Sequence, residues 1–514
     1  MRGFLSVFTI FCVAVGGCTL TSSTTPGNTE SFPDVNGQPA LYVSAVHGSD
    51  GGDGSRERPF ARIQSAIDAA KSGTTIAIAA GTYSENLKLP AGISLQGTPG
   101  MTDFLASSAT SLATVIEGSI AVTGKGTSVI GTLFVTGAKG AGISIETASA
   151  KLSRIMVVAN QGDGISLSSS ENVSLDTCII RDNTGIGLVA RGSGKVTIID
   201  PLFHIDPRKG TFANSIIDPL FLPNSVISGN AGGGVSIIDP LFLTDPTKDA
   251  LSLTSTLISK NGKFGVAIYG GSASIVSSSI DGHSASDADG IRIGRASVPT
   301  SGIFTVSVDS KSVVNASGRA GILVSAPVKL ICAAAVVGSG HGGIWGQDAE
   351  TTLELGETTA LVHNKLVGVA VSNGATLNMK GGTIALTQPF EFLPNGATET
   401  VQLADGVGVY GHAHGQVVGT LFSDNPRAAV LAKGCAQKSD GSPDLIVDKC
   451  SISGSKWGVV INGQYSQMVA GGVGAGTPSN DYSGVDTKNQ QNTAELPAEE
   501  SVCPDGQYTC GVAP

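Results

Sequence analysis

The sequence predicts an all-β chain wound into one parallel β-helix, a solenoid of about 12 to 14 coils. Three observations support this fold class. Glycine is abundant, at 70 of 514 residues, whereas only 14% of the residues are charged and 5% are aromatic. An asparagine is repeatedly followed four positions later by glycine or alanine and then by an apolar residue, as in NQGDGI and NTGIGL. Many successive repeat glycines lie about 21 to 25 residues apart, a spacing typical of one solenoid coil.

Apolar residues alternate after each repeat glycine, as Ile165 and Leu167 do after Gly164. Side chains two apart on a strand share one face. Each coil is therefore expected to turn such a pair into the core and the residue between them outward. The recurrent asparagine tolerates a left-handed turn, and its amide can bond to the next coil. We predict one continuous core with stacked asparagine amides at a turn.

The head of the repeat region predicts a cap. It reads YVSAVHGSDGGDGSRERPFARIQSAIDAAKSGTTIAIAAGTYSENLKL, residues 42–89. Pro59 is expected to begin an amphipathic helix that covers the open end of the core. With this head, the chain resembles right-handed parallel β-helix proteins of the pectin-lyase-like type over residues 42–465. That resemblance implies a single-stranded, right-handed β-helix. It does not imply one activity, because the fold hosts lyases, hydrolases and adhesins.

The N-terminus, MRGFLSVFTIFCVAVGGC, resembles a bacterial lipoprotein signal. The resemblance implies cleavage of residues 1–17, lipid attachment at Cys18 and anchoring in the outer membrane; an ordinary secretory signal is the alternative. Residues 18–40 are predicted to be a flexible tether, residues 41–465 the β-helix, and residues 466–514 a loose C-terminal tail.

Charge limits the range of partners. The formal net charge is −10, and no stripe of lysine or arginine stands out, so we expect no nucleic-acid partner. Besides membrane lipid at Cys18, the expected partners are a polysaccharide or a surface protein, and the chain is expected to be a monomer.

The hexapeptide IIDPLF occurs three times, beginning at Ile198, Ile216 and Ile237. The copies lie out of phase with the coil period, and Asp-Pro pairs favour turns. We therefore predict inserted loops around 199–222 and 238–249. Two interpretations stay open: the loops bury their own leucines and phenylalanines, or they form a partner-binding knob. The charged residues of that knob would be Asp206, Arg208, Lys209, Asp245 and Lys248.

A candidate ligand strip follows the outward residues of successive coils. It contains Arg292, Trp345 and Tyr410. If Trp345 and Tyr410 are two coils apart, they lie roughly 10 Å from each other, and they could line a glycan groove. The alternative is that loops or the tail cover these side chains.

Metal-binding residues are not clearly indicated. His412 and His414 alternate on one strand with Asp405 nearby, and Asp50 and Asp53 are candidate calcium ligands. The alternatives, which the residue types favour, are that the histidines are exposed turn residues and that residues 48–55 form a glycine-rich turn. No cofactor is predicted.

Six cysteines remain in the mature chain. The predicted short-range disulfides are Cys435–Cys450 and Cys503–Cys510. Cys178 and Cys332 lie in strand-like runs and are predicted to be buried thiols.

Two functions are consistent with the sequence. The first is a non-catalytic surface module that binds glycans or proteins. The second is a polysaccharide lyase or glycoside hydrolase acting on the β-helix face, for which no catalytic constellation can be assigned.

Overall fold

The structure is a computed structural model of a parallel β-helix. It describes residues 31–98, 113–200, 225–240, 245, 248–297, 302–392, 400–411, 413–435, 445–464, 468–470 and 480–491. Several predictions fall outside these residues, namely those on Cys18, Asp206, Arg208, Lys209, His412, Cys503 and Cys510. Within the described residues, no helix has the length and hydropathy needed to span a membrane.

Each coil has three faces, and face 1 contains the outward column predicted from the sequence. Its parallel strands pair in chain order. They are β4 (Leu87–Pro90), β7 (Ile120–Thr123), β9 (Ile143–Glu146), β11 (Ile165–Ser168), β14 (Ile186–Arg191), β17 (Gly233–Ile238), β20 (Phe264–Tyr269), β23 (Asp289–Gly294), β26 (Ala320–Ser325), β29 (Gly342–Gln347), β32 (Leu366–Ser372), β36 (Val401–Tyr410), β39 (Ala428–Cys435), β42 (Trp457–Gln464) and β45 (Thr487–Gln491). One further strand, β35 (Phe390–Phe392), pairs antiparallel with β36.

Faces 2 and 3 belong to one 29-stranded sheet. The strands of face 2 are β1 (Ala40–Val43), β2 (Thr75–Ile78), β5 (Ser94–Gly97), β8 (Thr127–Gly137), β10 (Ser149–Val158), β12 (Val173–Asp176), β15 (Val196–Ile199), β18 (Asp249–Thr254), β21 (Ser272–Val276), β24 (Phe304–Val308), β27 (Val328–Cys332), β30 (Thr352–Leu355), β33 (Thr376–Lys380), β37 (His414–Val418), β40 (Leu445–Asp448) and β43 (Met468–Ala470). Strands β8 and β10 continue round the corner into face 3. The other strands of face 3 are β3 (Gly81–Tyr83), β6 (Thr114–Gly118), β13 (Ile179–Arg181), β16 (Val226–Ser228), β19 (Leu257–Ser259), β22 (Ser279–Asp281), β25 (Val313–Asn315), β28 (Ala335–Val337), β31 (Ala360–Val362), β34 (Thr383–Ala385), β38 (Leu421–Ser423), β41 (Ser451–Ser453) and β44 (Asp481–Ser483).

The core forms by stacking like residues on like. Ile165 is in register with Ile143 of the preceding coil and Leu188 of the next, and all three are fully buried. The same kind of contact repeats along the stack, so one apolar cluster runs from Val43 to Val459. The predicted continuous core is confirmed, and its burial is the main force that holds the coils together.

An asparagine ladder runs beside this core, as predicted. Asn160, Asn183, Asn230 and Asn261 are all buried. The side-chain amide of each of the first three donates to the amide oxygen of the next asparagine at 2.9 to 3.0 Å. The same oxygen also accepts the preceding asparagine's backbone N–H, as Asn183 does from Asn160. The ladder therefore satisfies buried polar groups that the turns would otherwise leave unpaired.

A short helix, α1 (Ile63–Ala69), packs on β1, β2 and β4. It begins four residues later than predicted, because Phe60 forms backbone hydrogen bonds with β1 instead. The helix N-terminus is capped from a distant loop: the Glu85 carboxylate accepts the N–H groups of Ile63 and Gln64 at 2.8 and 3.1 Å.

The first IIDPLF copy lies where a turn has been enlarged. In neighbouring coils, two residues join face 2 to face 3, such as Thr177-Cys178 between β12 and β13. In the enlarged turn the corresponding residues are Asp200 and Ser225. The two residues are in contact, since the Ser225 backbone N–H donates to Asp200 Oδ2 at 3.3 Å. The segment 201–224 is thus an insertion between two turn residues. The third copy begins in β17 of face 1, and the next described strand, β18, belongs to face 2.

The predicted C-terminal boundary at residue 465 is wrong. Strands β44 and β45 continue the stack by pairing with β41 and β42. Face 1 has sixteen described strands, of which only β35 lies off the path, so fifteen coils cross this face. This count exceeds the predicted 12 to 14 because the tail contributes a coil whose polar sequence, such as TKNQQ, lacks the inward apolar pair.

The predicted Cys435–Cys450 disulfide is also wrong. Cys450 is a free, buried thiol between β40 and β41, whereas Cys435 ends β39 on face 1. The prediction of buried thiols at Cys178 and Cys332 is confirmed. Burial raises the pKa of both to about 12, so neither is a reactive thiolate at neutral pH.

Candidate ligand-binding site on face 1

A pocket opens on the outer surface of face 1, across β20, β23 and β26. Its volume is about 300 Å³. It is lined by Tyr269, Asp287, Arg292, Gly294, Arg319, Leu323 and Ser325. One of the three predicted strip residues, Arg292, therefore lies at a concave site.

A buried carboxylate organises this pocket. Asp289 has no solvent exposure, and it accepts the Arg292 Nε–H at 2.7 Å. Arg319, from the next coil, donates to the same carboxylate through Nε at 2.8 Å and Nη2 at 2.6 Å. A buried charge must be paired and hydrogen-bonded. Asp289 meets that requirement and fixes two guanidinium groups against the wall of the pocket.

Arg292 retains hydrogen-bonding capacity. Its Nη2 donates to the backbone oxygens of Asp287 at 3.1 Å and Lys263 at 3.5 Å. Its Nη1 has no protein partner among the described residues, and the side chain is 23% exposed. Since a guanidinium has five N–H donors in a fixed fork, the two on Nη1 are available to a ligand.

Tyr269 forms the aromatic wall. It is in register with Gly294, which is in register with Ser325. A Cβ atom on residue 294 would lie 2.7 Å from Tyr269 Cδ1 and 2.8 Å from its Cε1. The glycine therefore makes room for the ring to lie across the coil below.

The strand register confirms the outward column as far as Trp345. Arg292 is in register with Leu323, and Leu323 with Trp345. Trp345 does not lie on an open strip, however, because it is only 2% exposed. It belongs to a second apolar cluster, outside the β-helix core, against which Phe390 of β35 and Tyr410 pack. The side chain is covered by Phe390 of strand β35 and by Tyr410, and not by the loops or the tail named as the alternative.

Tyr410 is not in the predicted column. Ala370 is in register with Gly408, so Gly408 occupies the position assigned to Tyr410. The ring of Tyr410 lies back over Gly408 and stacks on Trp345 with centroids 6.4 Å apart. The expected 10 Å spacing is therefore wrong. Gly406, and not Gly408, is the repeat glycine of this coil.

The described candidates, Asp50, Asp53, Asp405 and His414, do not assemble a metal site. Asp405 is buried on face 1 and accepts the Arg427 Nε–H at 2.8 Å, whereas His414 lies on face 2. Asp53 accepts the Ser55 N–H at 2.9 Å, and hydrogen bonding from the Ser55 side chain, followed by this N–H, lowers the pKa of Asp53. No group of three or more potential ligands occurs in the part of the chain that the structure describes.

Tyr269, Asp289 and Arg319 are not among the residues predicted from the sequence. Each is adjacent to the predicted column: Asp289 directly precedes a repeat glycine, and Arg319 precedes the next one by two residues. When the coils are aligned on their repeat glycines, Asp289 and Arg319 fall at nearly the same position of neighbouring coils. Their opposite charges could therefore have been expected to lie close together.

Comparisons with known proteins agree with the fold. Residues 141–317 match a family model described as a right handed beta helix region, which confirms the predicted hand. No curated protein matches the sequence.

Three similar solved structures are enzymes by their names. The A-module of mannuronan C-5 epimerase AlgE4 from Azotobacter vinelandii is 14% identical, with 87% of this chain and 97% of that chain covered and a TM-score of 0.32. The α-1,3-glucanase catalytic unit from Streptomyces thermodiastaticus is 14% identical, with 90% and 72% covered and a TM-score of 0.38. Polygalacturonase from Erwinia carotovora is 13% identical, with 91% and 98% covered and a TM-score of 0.22. At these identities and TM-scores, the likenesses support no conclusion about activity.

Proposed function

We propose that this right-handed parallel β-helix is a non-catalytic module that binds a glycan in the face 1 pocket. The observation that supports this most directly is the placement of Tyr269 beside Arg292, both fixed on rigid strands. An aromatic ring can pack against the apolar face of a sugar, while guanidinium, hydroxyl and carboxylate groups bond to its hydroxyls.

The chemistry of Asp289 favours binding over catalysis. Two guanidinium groups hold this carboxylate, and it is fully buried, so it is not exposed to a substrate in the pocket. Among the lining residues, Asp287 is then the remaining carboxylate. An inverting glycoside hydrolase needs two working carboxyl groups about 6.5–9.5 Å apart.

Glycan-affinity electrophoresis against a panel of polysaccharides tests the proposal. The unmodified protein should be retarded by at least one polysaccharide, and Tyr269→Ala should weaken that binding by about tenfold or more, which is about 1.4 kcal/mol. Ser274→Ala, at an outward position of face 2, is the matched control and should bind normally. Absence of binding to every polysaccharide would contradict the proposal.

A polysaccharide lyase or glycoside hydrolase is the second candidate. The specific observation in its favour is that the Tyr269 phenol and the Asp287 carboxylate line one pocket next to two guanidinium groups. A tyrosine can act as a base and an arginine can stabilise developing negative charge. New unsaturated or reducing ends after incubation with a polysaccharide, abolished in Tyr269→Phe, would replace the binding proposal with this one.

We further propose that the module is anchored in the outer membrane through lipid on Cys18. Metabolic labelling with an alkyne fatty acid should label the unmodified protein and leave Cys18→Ser unlabelled. Equal labelling of both would contradict the anchor. The inserted loops remain a proposed protein-binding surface, in which Asp245 and Lys248 pair with each other at 3.3 Å.

A further inference from the structure

The face 1 pocket contains balanced charge. Arg292 and Arg319 provide two positive charges, and Asp289 and Asp287 provide two negative ones. Asp289 is buried and contacts both guanidinium groups directly, so its charge opposes theirs at close range and with little screening by water. The chain as a whole has a formal net charge of −10, which disfavours the approach of a polyanion.

The groups left for a ligand form a donor and acceptor set. Arg319 gives two of its nitrogens to Asp289, and Arg292 gives Nε to Asp289 and Nη2 to backbone oxygens. The remaining donors of Arg292 are on Nη1. The Asp287 side chain is exposed and supplies an acceptor on the same pocket.

Such a set fits hydroxyl groups better than it fits a carboxylate. A sugar hydroxyl both donates and accepts, so one hydroxyl can accept from Arg292 while its neighbour donates to Asp287. A carboxylate only accepts. It would find the charge of Arg292 partly offset by Asp289 and would be repelled by Asp287.

We propose that the pocket selects an uncharged pyranose unit over a uronic acid unit. This selectivity rests on the proposed glycan-binding function and adds the ligand class to it. Asp287 is the residue that excludes the acidic sugar, and Asp289 is a positioning residue that holds both guanidinium groups and cancels part of their charge.

Calorimetric titration with two matched oligosaccharide series tests the selectivity. The two series have the same linkage and length and differ only at C6, which is a hydroxymethyl group in one and a carboxylate in the other. At low salt, the unmodified protein should bind the neutral series at least about tenfold more tightly than the uronic series. This difference in affinity should become smaller as added salt screens the exposed charge of Asp287.

Two variants make the test specific. Asp287→Asn removes the charge and keeps an acceptor oxygen, so it should raise the affinity for the uronic series several-fold relative to the neutral series. Asp176→Asn makes the same charge change at an exposed position on face 2 and should leave the ratio unchanged.

The outcomes separate the two proposals. Tighter binding of the uronic series by the unmodified protein would overturn the selectivity and leave glycan binding intact. An unchanged ratio in Asp287→Asn would overturn the role of that carboxylate. Binding of neither series, nor of any polysaccharide in the panel, would overturn the glycan-binding function and the selectivity with it.

Discussion

At the residue scale, the asparagine ladder contains one titratable side chain. His283 takes the place after Asn261, and its Nδ1 accepts the Asn261 N–H at 3.2 Å. Its Nε2 is buried and has no hydrogen-bond partner among the described residues. Burial lowers the pKa of His283 below its ordinary value of 6.5, although Asp281 opposes this shift. The ladder therefore accommodates the neutral imidazole.

This residue should make stability depend on pH. The unfolded chain takes up a proton on His283 near pH 6.5, whereas the folded chain takes it up only at lower pH. Between these two pKa values the unfolded state binds more protons than the folded state. The contribution of His283 to the free energy of unfolding is therefore fully present above pH 6.5 and decreases as the pH drops towards the folded pKa. The Tm of the His283→Asn variant should decrease less between pH 7.5 and pH 5 than the Tm of the unmodified protein. Equal pH dependence in the two proteins would contradict this role.

At the scale of elements, the turn that contains the first insertion makes a deletion informative. Asp200 and Ser225 already occupy the two-residue turn that joins faces 2 and 3. Removing residues 201–224 joins them directly, and Asp tolerates the left-handed conformation that Thr177 adopts in the same place, with φ of 56°. The free energy of unfolding should stay equal or rise by up to about 2 kcal/mol, because a long loop no longer has to be closed.

The control for this deletion removes residues 200–225. It eliminates the turn residues themselves, so β15 and β16 can no longer lie on different faces, and chemical denaturation should show a large loss of stability. If the shorter deletion is equally harmful, the insertion contributes to folding and is not an addition to a complete turn.

The antiparallel strand β35 is a second element whose role can be isolated. It places Phe390 on the cluster that contains Trp345 and against the ring of His341, 4.9 Å away. The chain has two tryptophans, so a Trp457→Phe background reports Trp345 alone. In that background, Phe390→Ala should increase acrylamide quenching of Trp345 several-fold, because it opens the cover over the indole. Glu391→Ala, at an exposed position on the same strand, should leave quenching unchanged; an effect of equal size would contradict the assigned role of Phe390.

At the scale of the whole molecule, the sequence was sufficient to predict a contact wherever one coil repeats the contact of its neighbour. The inward pairs and the asparagine ladder belong to this class, since their partners lie one period away. Contacts from outside the period were not predictable. Phe390 covers Trp345 from an antiparallel strand that has no counterpart in other coils. The wrong choice of Gly408 as the repeat glycine has another cause. The segment DGVGVY has two glycines two residues apart, and shifting the strand register by two residues keeps the same side chains inward.

The N-terminal end of the solenoid is where exposed strands would allow association with other chains. Helix α1 buries Ile63 and Ile67 against β1, β2 and β4. If α1 were absent, the inward residues of the first coil would be exposed to water or to other chains. Ile67→Asp places a charge at this buried position and should lower the free energy of unfolding by about 3 kcal/mol or more. It should also cause concentration-dependent association in light scattering, because exposed strand ends pair with other chains.

Ala69→Asp adds the same charge at an exposed position on the same helix. Its free energy of unfolding should stay within about 0.5 kcal/mol of that of the unmodified protein, and it should show no added association. If Ile67→Asp were as stable and as monodisperse as Ala69→Asp, α1 would not be the element that protects this end of the core.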